Sequence, residues 1–172
     1  MTQTAVSAPR HLGLGRLLGI NAFWFGGGAH WQPISISLLP LGAVLVTSTS
    51  SDAELLVGHA TAAGGIFAML VPILAGWLSD RTSSRWGRRR PWMVVGTLFN
   101  LLGLLLLAIA SSPFLVIVSY LVVQVSNNAA GAAYSGVIPD VVPAADRGRA
   151  SGLLGTMNQA GTVVGVGLAA AV

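Results

Sequence analysis

Residues 76–92 read Gly76-Trp-Leu-Ser-Asp80-Arg81-Thr-Ser-Ser-Arg85-Trp-Gly87-Arg88-Arg89-Arg90-Pro91-Trp92, and the contrast between this stretch and its flanks decides the fold. Its middle, residues 79–91, holds five arginines and one aspartate, whereas residues 55–78 before it and 92–110 after it contain no Asp, Glu, Lys or Arg. A hydrocarbon core of about 30 Å is crossed by about 20 helical residues at a rise of about 1.5 Å each. The stretch therefore reads as a charged connector between two membrane-spanning helices.

Working outward, three more apolar runs appear, so the spans are expected at residues 17–46, 55–78, 92–110, 114–138 and 151–172, after a segment of residues 1–16. The first is overlong and contains Pro33, which predicts a tilt, a kink or an interfacial part. Composition agrees with a lipid surround. Of the 172 residues 53% are hydrophobic and only 8% are charged, against roughly 25% charged in ordinary soluble domains. The fold class is accordingly all-α, a polytopic transmembrane helical bundle.

The connectors alternate in charge. Residues 47–54 carry Asp52 and Glu54 with no Lys or Arg, and residues 111–113 carry no charge, while residues 139–150 hold Arg147 and Arg149. Arg10 and Arg16 precede the first span, so all nine basic residues, every one an arginine, fall on one side. The positive-inside rule assigns that side to the cytoplasm, with the N-terminus there and the protein in a plasma (inner) membrane. The net charge of +4 thus sets topology, and its placement argues against nucleic acid as a partner. The first apolar run is too long for a cleaved signal sequence. Without cysteine no disulfide or thiolate metal site arises, and no residue pattern suggests a cofactor, a metal site or enzyme chemistry. Val172 closes an apolar run with no polar segment after it, which predicts a truncated chain whose C-terminal half is a missing partner.

Two loops carry chemistry. An acid at the end of one helix followed by an arginine cluster can form ion pairs that break and re-form as helix ends part, though the arginines could equally be topogenic only. Gly76, Asp80, Arg81, Gly87 and the Arg88–Arg90 triplet resemble the signature between helices two and three of the major facilitator superfamily. The longer spacing, ending in GRRRPW, is similar to the branch of plant sucrose transporters and glycoside-pentoside-hexuronide:cation symporters. Residues 138–152, with Pro139, Asp140, Asp146, Arg147 and Gly152, resemble that branch's loop between helices four and five. The resemblance implies the N-terminal five helices of a major facilitator fold. It also implies a cytoplasmic gate in which Asp80 is the latch acid, Arg81, Arg88, Arg89 and Arg90 are its partners, and Asp140 and Arg147 join the network. Asp146 reads as a helix start favoured by the helix dipole.

Within the spans, an unsatisfied polar group costs several kcal/mol and so faces a partner or an aqueous cavity. Gln124, Asn127, Asn128, Gly131, Tyr134 and Ser135 share one side of the fourth helix by the 3.6-residue repeat, suited either to a polyhydroxylated neutral solute or to bonds between helices. Asn21 and Gln32 fall near one face of the first helix, flanked by Trp24 and Trp31. The candidate substrate-binding residues are Asn21, Trp31, Gln32, Gln124, Asn127, Asn128 and Tyr134. His30 is either a proton relay or a histidine bonded to a neighbouring helix. With no Asp or Glu inside any span, hard cations lack their preferred ligands. The expected function is secondary active transport, sugar or glycoside:proton symport by alternating access, with a small neutral solute and a proton as partners. A metabolite or drug exporter, or a non-functional fragment, is the alternative. Glycine-rich residues 151–172 contain no proline, which disfavours the drug-antiporter pattern.

Overall fold

The computed structural model describes residues 11–171. Arg10, with the rest of residues 1–10, and Val172 lie outside the described residues. The chain folds into helices only among the described residues: α1 (Leu14–Val46), α2 (Ser50–Arg81), α3 (Arg90–Ala108), α4 (Pro113–Ser135), the short α5 (Val137–Val141) and α6 (Arg147–Ala170). The helix boundaries follow from capping. Thr49 accepts the Asp52 N–H on its side chain at the start of α2, and Ser112 accepts the Leu115 N–H at the start of α4, as N-cap hydroxyls do.

Helix α1 runs unbroken through Pro33 by changing its winding. Residues Ile34–Leu38 form a π-helical turn, closed by Leu39 N–H to the Ile34 carbonyl. Proline supplies no N–H and its ring crowds the preceding turn, and a π turn absorbs the mismatch within a continuous helix. The kink expected at Pro33 is thus a local rewinding.

Among the described residues, four helical stretches are long and apolar enough to cross a membrane: Leu14–Val46, Ser50–Arg81, Arg90–Ala108 and Pro113–Val141. Helix α6 forms where a fifth span was expected and has 24 residues, which at about 1.5 Å each is sufficient length. It falls short of the others in apolarity because Arg147, Arg149, Asn158, Gln159 and a run of glycines dilute it. That face is committed to another helix. A Cβ on Gly161 would collide with the Phe25 carbonyl, one on Gly165 with the Ala29 carbonyl, and one on Gly28 with the Asn158 carbonyl. Such backbone-to-backbone approach is the packing that small residues permit.

Pairings along this seam, Asn21 with Ala150 and Gly28 with Asn158, rise together, so α1 and α6 run parallel. Helices α2 and α4 are parallel as well. Gln124 Nε2 donates to the Gly64 carbonyl at 3.2 Å, and the ends of both helices meet at Arg89. Near the opposite end, Ala43, Ala53, Leu107 and Val116 form one buried cluster, which brings together the C-termini of α1 and α3 and the N-termini of α2 and α4. The bundle therefore has a basic end and an end bearing Asp52 and Glu54. Large exposed apolar side chains such as Leu45, Met69, Ile73 and Phe114 ring its outside, as a lipid-facing surface requires.

Candidate functional site

The basic end is organised around Arg89. Its Nε donates to Asp140 Oδ2 at 2.6 Å, its Nη2 lies 2.9 Å from Asp80 Oδ1, and its Nη1 donates to Ser79 Oγ at 3.3 Å. Arg88 Nη2 donates to Asp140 Oδ1 at 2.7 Å. One guanidinium thus ties the end of α2 to α5, and it packs so closely on Gly136 that a Cβ there would overlap it. The hydrogen bond to Asp140 raises the Arg89 guanidinium above its usual value, with desolvation opposing it. Gly87, at φ +90°, makes the turn that aims the triplet at these acids, a conformation that side chains disfavour.

Asp80, Arg88, Arg89 and Asp140 are therefore brought together, while three other residues of the expected gate are placed elsewhere. The Arg81 guanidinium lies 3.8 Å from the Trp77 ring centroid, a cation–π stack. Arg147 donates to the Val142 and Pro139 carbonyls at 3.2 and 3.0 Å, capping the C-terminal end of α5 as cations do. Arg90 begins α3 and makes no ion pair among the described residues.

A third carboxylate joins this end. Asp146 is fully buried; its Oδ2 accepts the Leu12 N–H at 2.7 Å, and its Oδ1 accepts from His11 Nδ1 at 2.9 Å and Arg149 Nη1 at 3.2 Å. The Leu12 N–H first, and His11 next, hold it below the usual carboxylate value. A helix-start reading missed it because its principal partners lie more than 130 positions away. Only the pairing of an acid with a basic N-terminal segment hinted at it.

Between the helices lies a cavity of about 320 Å3, bordered by α1, α2, α4 and α6. Trp24, Trp31 and Gln32 reach it from α1, Asn127, Asn128 and Ser135 from α4, and Asn158 and Thr162 from α6; no charged residue lines it among the described residues. Trp24 Nε1 is buried without a hydrogen-bond partner among the described residues.

Of the sequence candidates, Trp31, Gln32, Asn127 and Asn128 border this cavity. Asn21, Gln124 and Tyr134 do not; each donates to a backbone carbonyl elsewhere in the bundle. Asn21 Nδ2 donates to Leu17 O at 2.9 Å and to Ala150 O at 3.2 Å, Gln124 reaches Gly64, and the Tyr134 hydroxyl donates to Ile20 while its ring stacks on Phe23 at 4.3 Å. Asn158 and Thr162, four apart on one face of α6, line the cavity in addition to those candidates. His30 lies on the other side of α1, in a recess shared with α3 and α4 and lined by Thr97, Asn100 and Asn127.

The Major Facilitator Superfamily profile matches residues 13–172. A stretch of 73 residues is 36% identical to a protein of Synechocystis sp. described as an uncharacterized symporter, covering 42% of this chain and 13% of that protein. No solved structure matches significantly.

Proposed function

The chain belongs to the Major Facilitator Superfamily, and from that premise we propose that it supplies the N-terminal bundle of a secondary active transporter that moves a neutral, sugar-like solute together with a proton. It is a multi-pass membrane protein, and in this proposal its arginine-bearing end faces the cytoplasm of a plasma (inner) membrane. The carrying observation is the cavity. It offers carboxamides, hydroxyls and indole rings and no formal charge, the set that suits hydroxyl-rich, uncharged solutes. A second bundle of the same protein would close it, in line with alternating access about a mid-membrane site. The longer GRRRPW loop favours the glycoside and sucrose branch.

At the basic end, ion pairs between helix ends suit a two-state gate. Exposed pairs are worth about 0 to 1 kcal/mol each, so the cluster can open without a large barrier while its half-buried Arg89 fixes the closed geometry. The symporter description of the partial relative favours coupled uptake. The test is labelled sucrose uptake into vesicles bearing the intact transporter, with and without an inside-alkaline gradient. Accumulation several-fold above the gradient-free level is expected; gradient-driven loss of sucrose, or uptake indifferent to the gradient, overturns the proposal.

A further inference from the structure

The recess between α1, α3 and α4 holds a histidine whose chemistry the solute cavity does not use. His30 lies 16 residues into α1, about 24 Å along its axis. Its Nδ1 is 3.3 Å from the Gly26 carbonyl. A carbonyl only accepts, so Nδ1 carries the hydrogen, and Nε2 is the basic nitrogen of the neutral ring. That Nε2 is buried without a partner. The recess has about 320 Å3 of space, and no titratable or charged side chain from α1, α3 or α4 lines it with His30. The polar residues that line the recess with it are Thr97, Asn100 and Asn127.

Asn127 borders both this recess and the solute cavity. Its neighbours Gln124 and Asn128 are bonded to carbonyls, whereas the Asn127 carboxamide is in no hydrogen bond among the described residues. A carboxamide has a donor end and an acceptor end. Beside a neutral imidazole, whose Nε2 accepts, the favoured partner is the NH2 end. Beside an imidazolium, whose Nε2–H donates, it is the carbonyl end. Protonation thus reverses the end of Asn127 left for the solute.

We propose that His30 is the site that takes up the transported proton, and that Asn127, turning with it, makes the solute cavity's hydrogen bonding depend on that proton. The proton passes from water on one side of the membrane to His30 Nε2 and returns to water on the other, with no covalent bond to the solute. Asn100 supports the charged state, since its Nδ2 donates to the Val123 carbonyl at 3.4 Å and its Oδ1 takes no donor among the described residues. This inference rests on the proton-coupled reading above.

The intact transporter in proteoliposomes tests it with labelled sucrose in two assays, accumulation under an inside-alkaline gradient and counterflow exchange, which needs no net proton movement. His30→Gln cannot titrate; it is expected to lower accumulation at least tenfold while counterflow falls less than threefold. Asn127→Leu should lower both, but leave His30 titrating in nitrogen NMR spectra of a protein carrying His11→Gln and His59→Gln. Gradient-driven accumulation by His30→Gln equal to wild type overturns the inference alone. Absence of wild-type accumulation overturns the transport reading and this inference with it. A His30 ring with no titration between pH 4 and about pH 9, a range spanning the usual histidine value, also overturns the inference.

Discussion

At the basic end Asp80, Asp140 and Asp146 each accept from an arginine or histidine side chain, whereas in the central cavity Trp24 Nε1 is unpartnered and Asn127 is uncommitted. The two regions draw on the same physical fact, the cost of an unpaired polar group away from water, in opposite directions. Where the acids are satisfied within the chain, helix ends are fixed to one another. Where some are left over, a second molecule can satisfy them. The α1–α6 seam underlies both, since it sets the distance between the helix carrying Trp31 and Gln32 and the helix carrying Asn158.

The largest effect should come from breaking that shared support. Gly165→Leu forces side-chain atoms against the Ala29 backbone, which cannot swing aside as a side chain would. Overpacking of this kind costs typically about 1–3 kcal/mol, so lowered thermal stability in detergent and more than tenfold loss of transport are expected. Gly155→Leu, with open space at its Cβ, is the matched control. Equal behaviour of the two variants would remove the seam from this account.

Asp140→Asn comes next, because it strips charge from the acceptor of both Arg88 and Arg89. Pairs of this kind are worth about 0 to 1 kcal/mol each and Arg89 is only 13% exposed, so the loss of both should approach the upper end, about 1–2 kcal/mol. Asp80→Asn should cost less, since Asp80 is 54% exposed and accepts from Arg89 alone among the described residues. Chemical denaturation of both variants checks the ordering, and a reversed order would mean that Asp140 is not the centre of the clasp.

Smaller and more diagnostic is the split within the polar set. Gln32→Ala is expected to weaken solute affinity about tenfold, roughly 1.4 kcal/mol, with thermal stability almost unchanged. Tyr134→Phe should lower stability by about 1 kcal/mol, one hydrogen bond, while affinity stays within twofold. Ligand-induced tryptophan fluorescence and thermal unfolding separate the two, and a swap of these outcomes would exchange the binding and structural roles.

The smallest expected effect lies in acid. The folded-state value of Asp146 is lowered, so its contribution is complete above the ordinary carboxylate value and disappears as pH falls through the lowered one. Amide protection around Leu12, the exchange rate taken relative to the intrinsic rate at the same pH, should fall in that acid window, and Asp146→Asn should leave protection there low at every pH. Exchange that is slow and unaltered in the variant would mean that Asp146 does not hold the segment.

How much of this was legible beforehand differs by residue. The bundle, the charge alternation and the pairing of loop acids with the arginine triplet could be read directly, since apolar length and local charge are properties of contiguous sequence. The choice of Arg89 over Arg81 could not. Both stand near Asp80, and only the position of α5 beside the end of α2 decides which guanidinium reaches two acids. The α4 stripe was likewise visible as a stripe, yet its division between Gln124 and Tyr134, bonded to neighbouring helices, and Asn127, Asn128 and Ser135, lining the cavity, depends on where α1 and α2 approach.

By itself, then, the sequence determined that lipid surrounds long helices and that the arginines gather at one end, because hydrocarbon excludes charge whatever the packing. Tertiary structure alone decided which polar groups are satisfied and which stand open to a solute, because a hydrogen bond needs its partner within about 3 Å, and residues remote in the chain reach that distance only through helix packing.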